Sequence, residues 1–132
     1  MIWFWSIIFI IVIIFIFYRR YSESRSYKAL NMNVDGKSYN NEDGSSRKEI
    51  ISSLYLGDII TLKTEPNNPY DNHAVAVISK KGQIGYLPRG RCHDVFNALQ
   101  RGQPVQASIE KITGGTRYKP RRGVILLIEK PH

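Results

Sequence analysis

The sequence predicts a mainly β domain with two short helices, α+β in class, preceded by one transmembrane helix. Its sheet should be small and strongly bent, or a partly open barrel. Three observations predict this. Residues 2–17 carry no charge, Ser6 is their only polar residue, and every charged residue lies after Tyr18. Five or six short segments further on alternate apolar and polar positions, the period of a strand. Between them lie two segments with apolar residues at helical spacing. The 132 residues make room for one ordinary domain, which excludes a multi-domain enzyme with its own nucleotide motor. With 42% hydrophobic and 23% charged residues the chain is globular rather than disordered, and a lone Cys92 excludes a disulfide scaffold.

The first element is Met1–Tyr18. As a helix of 18 residues it spans about 27 Å, close to the roughly 30 Å of a bilayer's hydrocarbon core. In lipid every backbone group must bond internally, which favours a helix despite the β-branched isoleucines. Trp3, Trp5 and Tyr18 stand near the two ends, where aromatic belts form. A cleaved signal peptide fits poorly, because no basic residue precedes the run and no small-x-small site follows it. A buried core helix also fits poorly, since no other part of the chain is apolar enough to surround it. Arg19, Arg20, Arg25 and Lys28 follow, so residues 19–28 read as a basic juxtamembrane linker. The positive-inside rule then expects the N-terminus outside and residues 29–132 in the cytoplasm, a reducing compartment compatible with a single free cysteine.

The folded part begins with ALNMNVDG at 29–36, which alternates Leu30, Met32 and Val34 and reads as a strand. NNEDG at 40–44 is a turn. Ser46 and Glu49 form a capping box for a helix carrying Ile50, Ile51 and Leu54 and ending before Gly57. DIITLKT at 58–64 is a strand, and the two prolines of EPNNPYDN at 65–72 end it. HAVAVIS at 73–79 is a strand buried on both faces, KKG at 80–82 a turn, and QIGYL at 83–87 its partner. Pro88 is expected to open a second helix through about Arg101, with Cys92, Val95, Phe96 and Leu99 as its apolar stripe. Strands at 104–112 and 123–130 close the list, joined by a basic loop after Gly114 and Gly115.

Charge is unevenly placed. Residues 19–79 hold 8 basic and 8 acidic side chains, whereas residues 80–132 hold 11 and 3, so the net +8 lies in the C-terminal part. Such a concentration suits a polyanion, nucleic acid or anionic lipid. Signs of catalysis are scarce. His73, Cys92, His93 and His132 lack zinc-ligand spacing, and no phosphate-cradling G-x-x-x-x-G-K-[ST] run is present. Glu65 and Asp71 could pair as metal-binding carboxylates for a nuclease, but Asp71 beside Asn72 better suits a loop-ordering acceptor. No metal and no cofactor is called for.

The informative segment is residues 64–90. Its loop places Asn67, Asn68, Tyr70 and Asp71 between prolines, which reduce the entropy of an open loop. Asparagine offers donor and acceptor, aspartate accepts, and tyrosine offers a stacking face. These groups could grip a nucleotide's sugar hydroxyl and base, or could satisfy only their own backbone.

VDGKSY (34–39), NNEDGSSRKEII (40–51), LGDIITL (56–62), EPNNPYDNHAVAV (65–77), QIGYLPR (83–89) and ITGG (112–115) together resemble a HIRAN domain over about residues 30–130. The resemblance implies an OB-like β-barrel with two helices, and in the eukaryotic version capture of the 3′-hydroxyl end of single-stranded DNA. It implies that Asn67, Asn68, Tyr70 and Asp71 hold the terminal nucleotide and that Tyr39 stacks on the end base. It also implies that Tyr86 and Arg89 stand where a histidine and a lysine contact DNA in the eukaryotic form; Ser38 falls where that form has an arginine. Lys80, Lys81 and Arg91 cluster around this segment in sequence and are expected to add phosphate contacts. The expected function is therefore a membrane-tethered, non-enzymatic module for nucleic acid, single-stranded DNA ends above all. The alternative is an adaptor for a protein partner at the cytoplasmic membrane face, which would display an exposed apolar patch. A small hydrolase or nuclease is the third reading.

Overall fold

The structure is a computed structural model and describes residues 1–22, 27–118 and 120–131. Helix α1 (Ile2–Ser22) is followed by β1 (Tyr27–Asn33), α2 (Arg47–Ser52), β2 (Ile59–Glu65), β3 (Ala74–Ser79), β4 (Gly82–Tyr86), α3 (His93–Gln100), β5 (Gln106–Thr113) and β6 (Gly123–Pro131). Helix α1 continues past Tyr18, the expected end of the anchor, into the segment read as linker; Arg25 and the rest of 23–26 lie outside the described residues. Side chains from Ile2 to Tyr18 are exposed, and Ile2–Arg19 is long and apolar enough to cross a membrane.

The six strands form one antiparallel sheet in the order β1-β6-β5-β2-β3-β4. Its bend is built into the pairing. Only Ile59 and Ile60 of β2 pair with β5, whereas Thr61 to Glu65 pair with β3. Bulges between Ile109 and Lys111 and between Val77 and Ile78 add curvature. Past the end of β1, Asp35 exchanges both backbone hydrogen bonds with Tyr86 of β4, at 2.8 and 2.9 Å. This one bridge draws the two edges of the sheet together and leaves the barrel otherwise open, as the predicted class requires. Gly85 permits it: a Cβ there would stand 2.2 Å from the Asp35 carbonyl oxygen and 2.6 Å from Val34 Cγ1.

The core lies inside the bend. Val34, Val75, Val77, Ile84, Ile109, Leu126 and Ile128 are fully buried, each worth roughly 1.5–3 kcal/mol of hydrophobic transfer. Helix α2 packs on β4 through Ile50 and Ile51, while α3 packs on β2 and β3 through Val95, Phe96 and Ala98. The Ser46 hydroxyl caps α2 by accepting from Glu49 N at 3.4 Å. The second short helix starts at His93 rather than at Pro88. Pro88–Arg91 is a turn instead, closed by Arg91 N donating to Pro88 O at 3.0 Å. Cys92 follows as the N-cap residue, its side chain buried in the core and its thiol donating to His73 O at 3.2 Å.

Candidate nucleic-acid interface

Three stretches of chain converge on a cleft of about 1040 Å³. The turn after β1 and the segment leading into α2 contribute Asp35, Gly36, Tyr39, Glu42 and Arg47. The β2–β3 loop contributes Glu65 through Asp71, and the end of β4 with the turn after it contributes Tyr86, Leu87 and Arg89. Tyr39, Asn67, Asn68, Tyr70, Asp71, Tyr86 and Arg89 thus all line one cavity, although 50 positions separate the first from the last.

The β2–β3 loop divides its polar groups between two tasks. Asn68 Oδ1 accepts from Tyr70 N at 2.9 Å and Asp71 N at 3.2 Å, while its amide donates to Glu65 Oε1 at 3.1 Å. Asp71 Oδ1 accepts from His73 N at 2.9 Å. Asn68 and half of Asp71 therefore order the backbone, the use that Asn and Asp commonly find in turns. That order leaves other groups on display. Tyr70 is 85% exposed and Tyr39 is 70% exposed, both on the cleft, and the Asn67 side chain is exposed too.

Tyr86 lies deeper. Its hydroxyl donates to Glu65 Oε1 at 2.9 Å, and the Arg47 guanidinium sits over its ring, 5.5 Å from the ring centre. Burial, with the Glu65 carboxylate adding to it, holds the phenol above its ordinary pKa, so Tyr86 stays a neutral donor. Glu65 and Asp71, weighed above as a metal-binding pair, each take separate donors: Tyr86 and Asn68 for Glu65, His73 N and, at 4.0 Å, the Cys92 thiol for Asp71.

A sequence model of the HIRAN domain matches residues 27–120. The chain belongs to the HIRAN domain family. Among solved structures this HIRAN domain is similar to a protein from Lactobacillus plantarum, at TM-score 0.60 and 20% identity over 80% of this chain and 97% of that one. It is also similar to the HIRAN domain of human HLTF, at TM-score 0.54 and 16% identity over 79% of this chain and 77% of that one. At such identities the likeness is one of fold. No curated protein matches the chain.

The cations expected beside the cleft of this HIRAN domain are placed differently from Arg89. Lys80 and Lys81 occupy the β3–β4 turn, at the opposite end of β3 from the cleft residue Ala74. Lys80 Nζ pairs with Asp58 at 3.6 Å, and Lys81 Nζ donates to Ser53 O at 3.3 Å. Arg91 donates to Asn31 O at 3.1 Å and does not line the cavity. The β3–β4 hairpin carries Lys80 and Lys81 away from Arg89, and Arg91 turns its side chain onto β1. The exposed Arg117, Arg121 and Arg122 instead belong to the β5–β6 loop. Val124, just past that loop, accepts from Val34 N at 3.1 Å, one residue before the cleft's Asp35.

Sequence reading missed Arg47. It stands first in α2, and its surroundings suggested only a capped amphipathic helix. The structure buries it to 8% exposure at the cleft. The available signal was its position at the first helical residue, where an acidic side chain is favoured by the helix dipole. Cys92 borders the same region, with Sγ 4.0 Å from Asp71 Oδ2. Burial, then the Asp71 charge, raises its thiol pKa, so it stays protonated.

Proposed function

We propose that this chain is a membrane-tethered HIRAN module that holds the 3′ end of single-stranded DNA. The observation that carries the reading is the convergence of two exposed tyrosines, an ordered Asn/Asp loop and two arginines in one cleft. A base stacks on Tyr39 or Tyr70, an interaction that tolerates any sequence. Asp71 Oδ2, whose contact with the Cys92 thiol is long at 4.0 Å, accepts a hydrogen bond from the terminal hydroxyl, and the Asn67 amide bonds the sugar or base edge. Asp35, Glu42, Glu65 and Asp71 line the cavity beside Arg47 and Arg89. Those carboxylates favour a hydroxyl terminus over a phosphate terminus, because a terminal phosphate adds charge among them. The β5–β6 loop, rather than Lys80 and Lys81, supplies a basic track for the rest of the strand. No bond is made or broken: the cleft binds.

The membrane part of the reading rests on α1. Its 21 residues span about 32 Å, enough for a bilayer core, and its side chains from Ile2 to Tyr18 are exposed. Arg19 at its end expects the domain on the cytoplasmic side.

The test is equilibrium binding of the full chain, in detergent micelles, to a labelled single-stranded oligonucleotide. Tyr39→Ala or Tyr70→Ala should weaken binding markedly, and Lys80→Ala should leave it nearly unchanged. Equal effects from all three would remove the cleft from the interface.

The adaptor reading has one observation in its favour. Tyr55, Leu56 and Ile59 are 72%, 66% and 80% exposed around the start of β2, and none of them lines the cleft. An exposed apolar group of this kind is where a protein partner would dock.

A further inference from the structure

Arg47 is a cation that the fold has positioned but not neutralised. Its Nε donates to Asn41 Oδ1 at 2.8 Å and its Nη1 to Gly36 O at 2.9 Å. Asn41 is itself held, its amide donating to Ser45 Oγ at 2.9 Å and to Gln83 O at 3.0 Å, which aims its oxygen at the arginine. The Tyr86 ring covers one face of the guanidinium. Of the five N–H donors of an arginine, about three remain without these partners. Among the described residues no carboxylate lies within ion-pair range of Arg47; the one ion pair there is Lys80 with Asp58. The carboxylate nearest in role, Glu65, already accepts from Tyr86 and Asn68. A buried charge without a counter-charge is costly, and Arg47 is 8% exposed at the lining of an open cleft.

We infer that Arg47 is the phosphate seat of the cleft, a guanidinium fixed in advance to take one phosphodiester of the bound strand. The inference rests on the reading of the cleft as a DNA site and names the group that Arg47 meets there. A planar fork matches two phosphate oxygens at once, which an ammonium cannot do. The seat also sets the register. Arg47 holds the carbonyl of Gly36, which in turn accepts from Tyr39 N at 3.2 Å, so the phosphate position and the Tyr39 ring are linked through one short turn. Arg89, exposed and without a hydrogen-bonding partner for its side chain among the described residues, attracts phosphate without fixing it.

The experiment is a neutral-backbone scan on the full chain in detergent micelles. A single-stranded hexanucleotide is made with one phosphodiester at a time replaced by an uncharged methylphosphonate. One position near the 3′ end should cost about 10- to 150-fold in affinity, the range of a hydrogen bond to a charged group, and the others much less. In Arg47→Lys that position should lose its distinction while the remaining penalties persist. A purely structural arginine would instead weaken every oligonucleotide alike. The Arg47 Nε resonance of the wild-type chain gives a reading that needs no folded variant. It should move on adding the unmodified strand and stay put when the distinguished phosphate is neutral. If the strand binds with no distinguished position, or the Lys variant keeps it, the seat is overturned and the cleft reading stands. If no strand binds, the cleft reading falls, and inorganic pyrophosphate decides the seat: an unmoved Arg47 resonance overturns it.

Discussion

Asn68 and Tyr70 stand two positions apart in the same loop and do opposite work. Asn68 turns all of its amide inward, onto Glu65, Tyr70 N and Asp71 N, whereas Tyr70 puts its ring in solvent. Asn68→Ala should therefore lower stability by about 0.5–1.5 kcal/mol, the net value of a hydrogen bond whose N–H groups water can reach. Tyr70→Ala should leave stability within about 0.5 kcal/mol and reduce DNA affinity by about 5- to 150-fold, the value of one lost stacking ring. Thermal melting and binding titration of the two variants separate the effects. Both residues are visible in the NNPYD motif, but their division of labour is not, because it depends on which way each side chain turns. Arg47 was illegible for a related reason: its meaning comes from how the chain turns between Gly36 and Asn41 to reach it and from Tyr86, far along the sequence. Cys92 is a further case at this scale. Its thiol pKa is raised from 9.0, so the folded state keeps the neutral form and the group contributes stability below 9.0 that is lost as pH rises above it. The thiol should react slowly with iodoacetamide at about pH 8 in the native protein and readily in denaturant. Equal rates would show that the core does not enclose it.

At the scale of elements, the strands and short helices were legible because the alternation of Val124, Leu126 and Ile128, or the capped run at Ile50 and Ile51, is written in consecutive residues. Less legible was where a helix starts after a proline, since Pro88 opens a turn closed at Arg91 and the helix begins at His93. The near-closure of the sheet was also hidden, since the Asp35–Tyr86 bridge joins residues 51 positions apart. That bridge holds two contributors to the cleft in place and depends on a residue without a side chain at position 85. Gly85→Ala should push β4 from the β1 extension, costing at the upper end of the roughly 1–3 kcal/mol of overpacking, and should weaken DNA binding with it. Thermal melting checks the first effect. A variant as stable as wild type would mean that the bridge moves freely and does not fix the cleft.

For the whole molecule, a helix without charge up to Tyr18 precedes a domain whose basic excess lies in residues 80–132. The full chain should pellet with membranes and resist carbonate extraction; recovery in the soluble fraction without detergent would contradict the anchor. DNA affinity should fall with salt, by a slope of about 0.7 for each phosphate contact in a single strand. Replacing Arg117 and Arg121 should lower that slope, and replacing Lys80 should not, because Lys80 is paired with Asp58 away from the cleft. Composition made the basic half legible, while the fold decided that Lys80, Lys81 and Arg91 do not line the cleft. The most direct measurement of end capture compares one oligonucleotide carrying a free 3′-hydroxyl with the same strand carrying a 3′-phosphate, for wild type and Asp71→Ala. Wild type should prefer the hydroxyl end, since Asp71 accepts its hydrogen bond and the acidic lining repels a terminal phosphate. Asp71→Ala should lose that preference and keep its salt-dependent background. Equal binding of both ends by the wild-type chain would contradict end capture and favour the adaptor surface at Tyr55, Leu56 and Ile59.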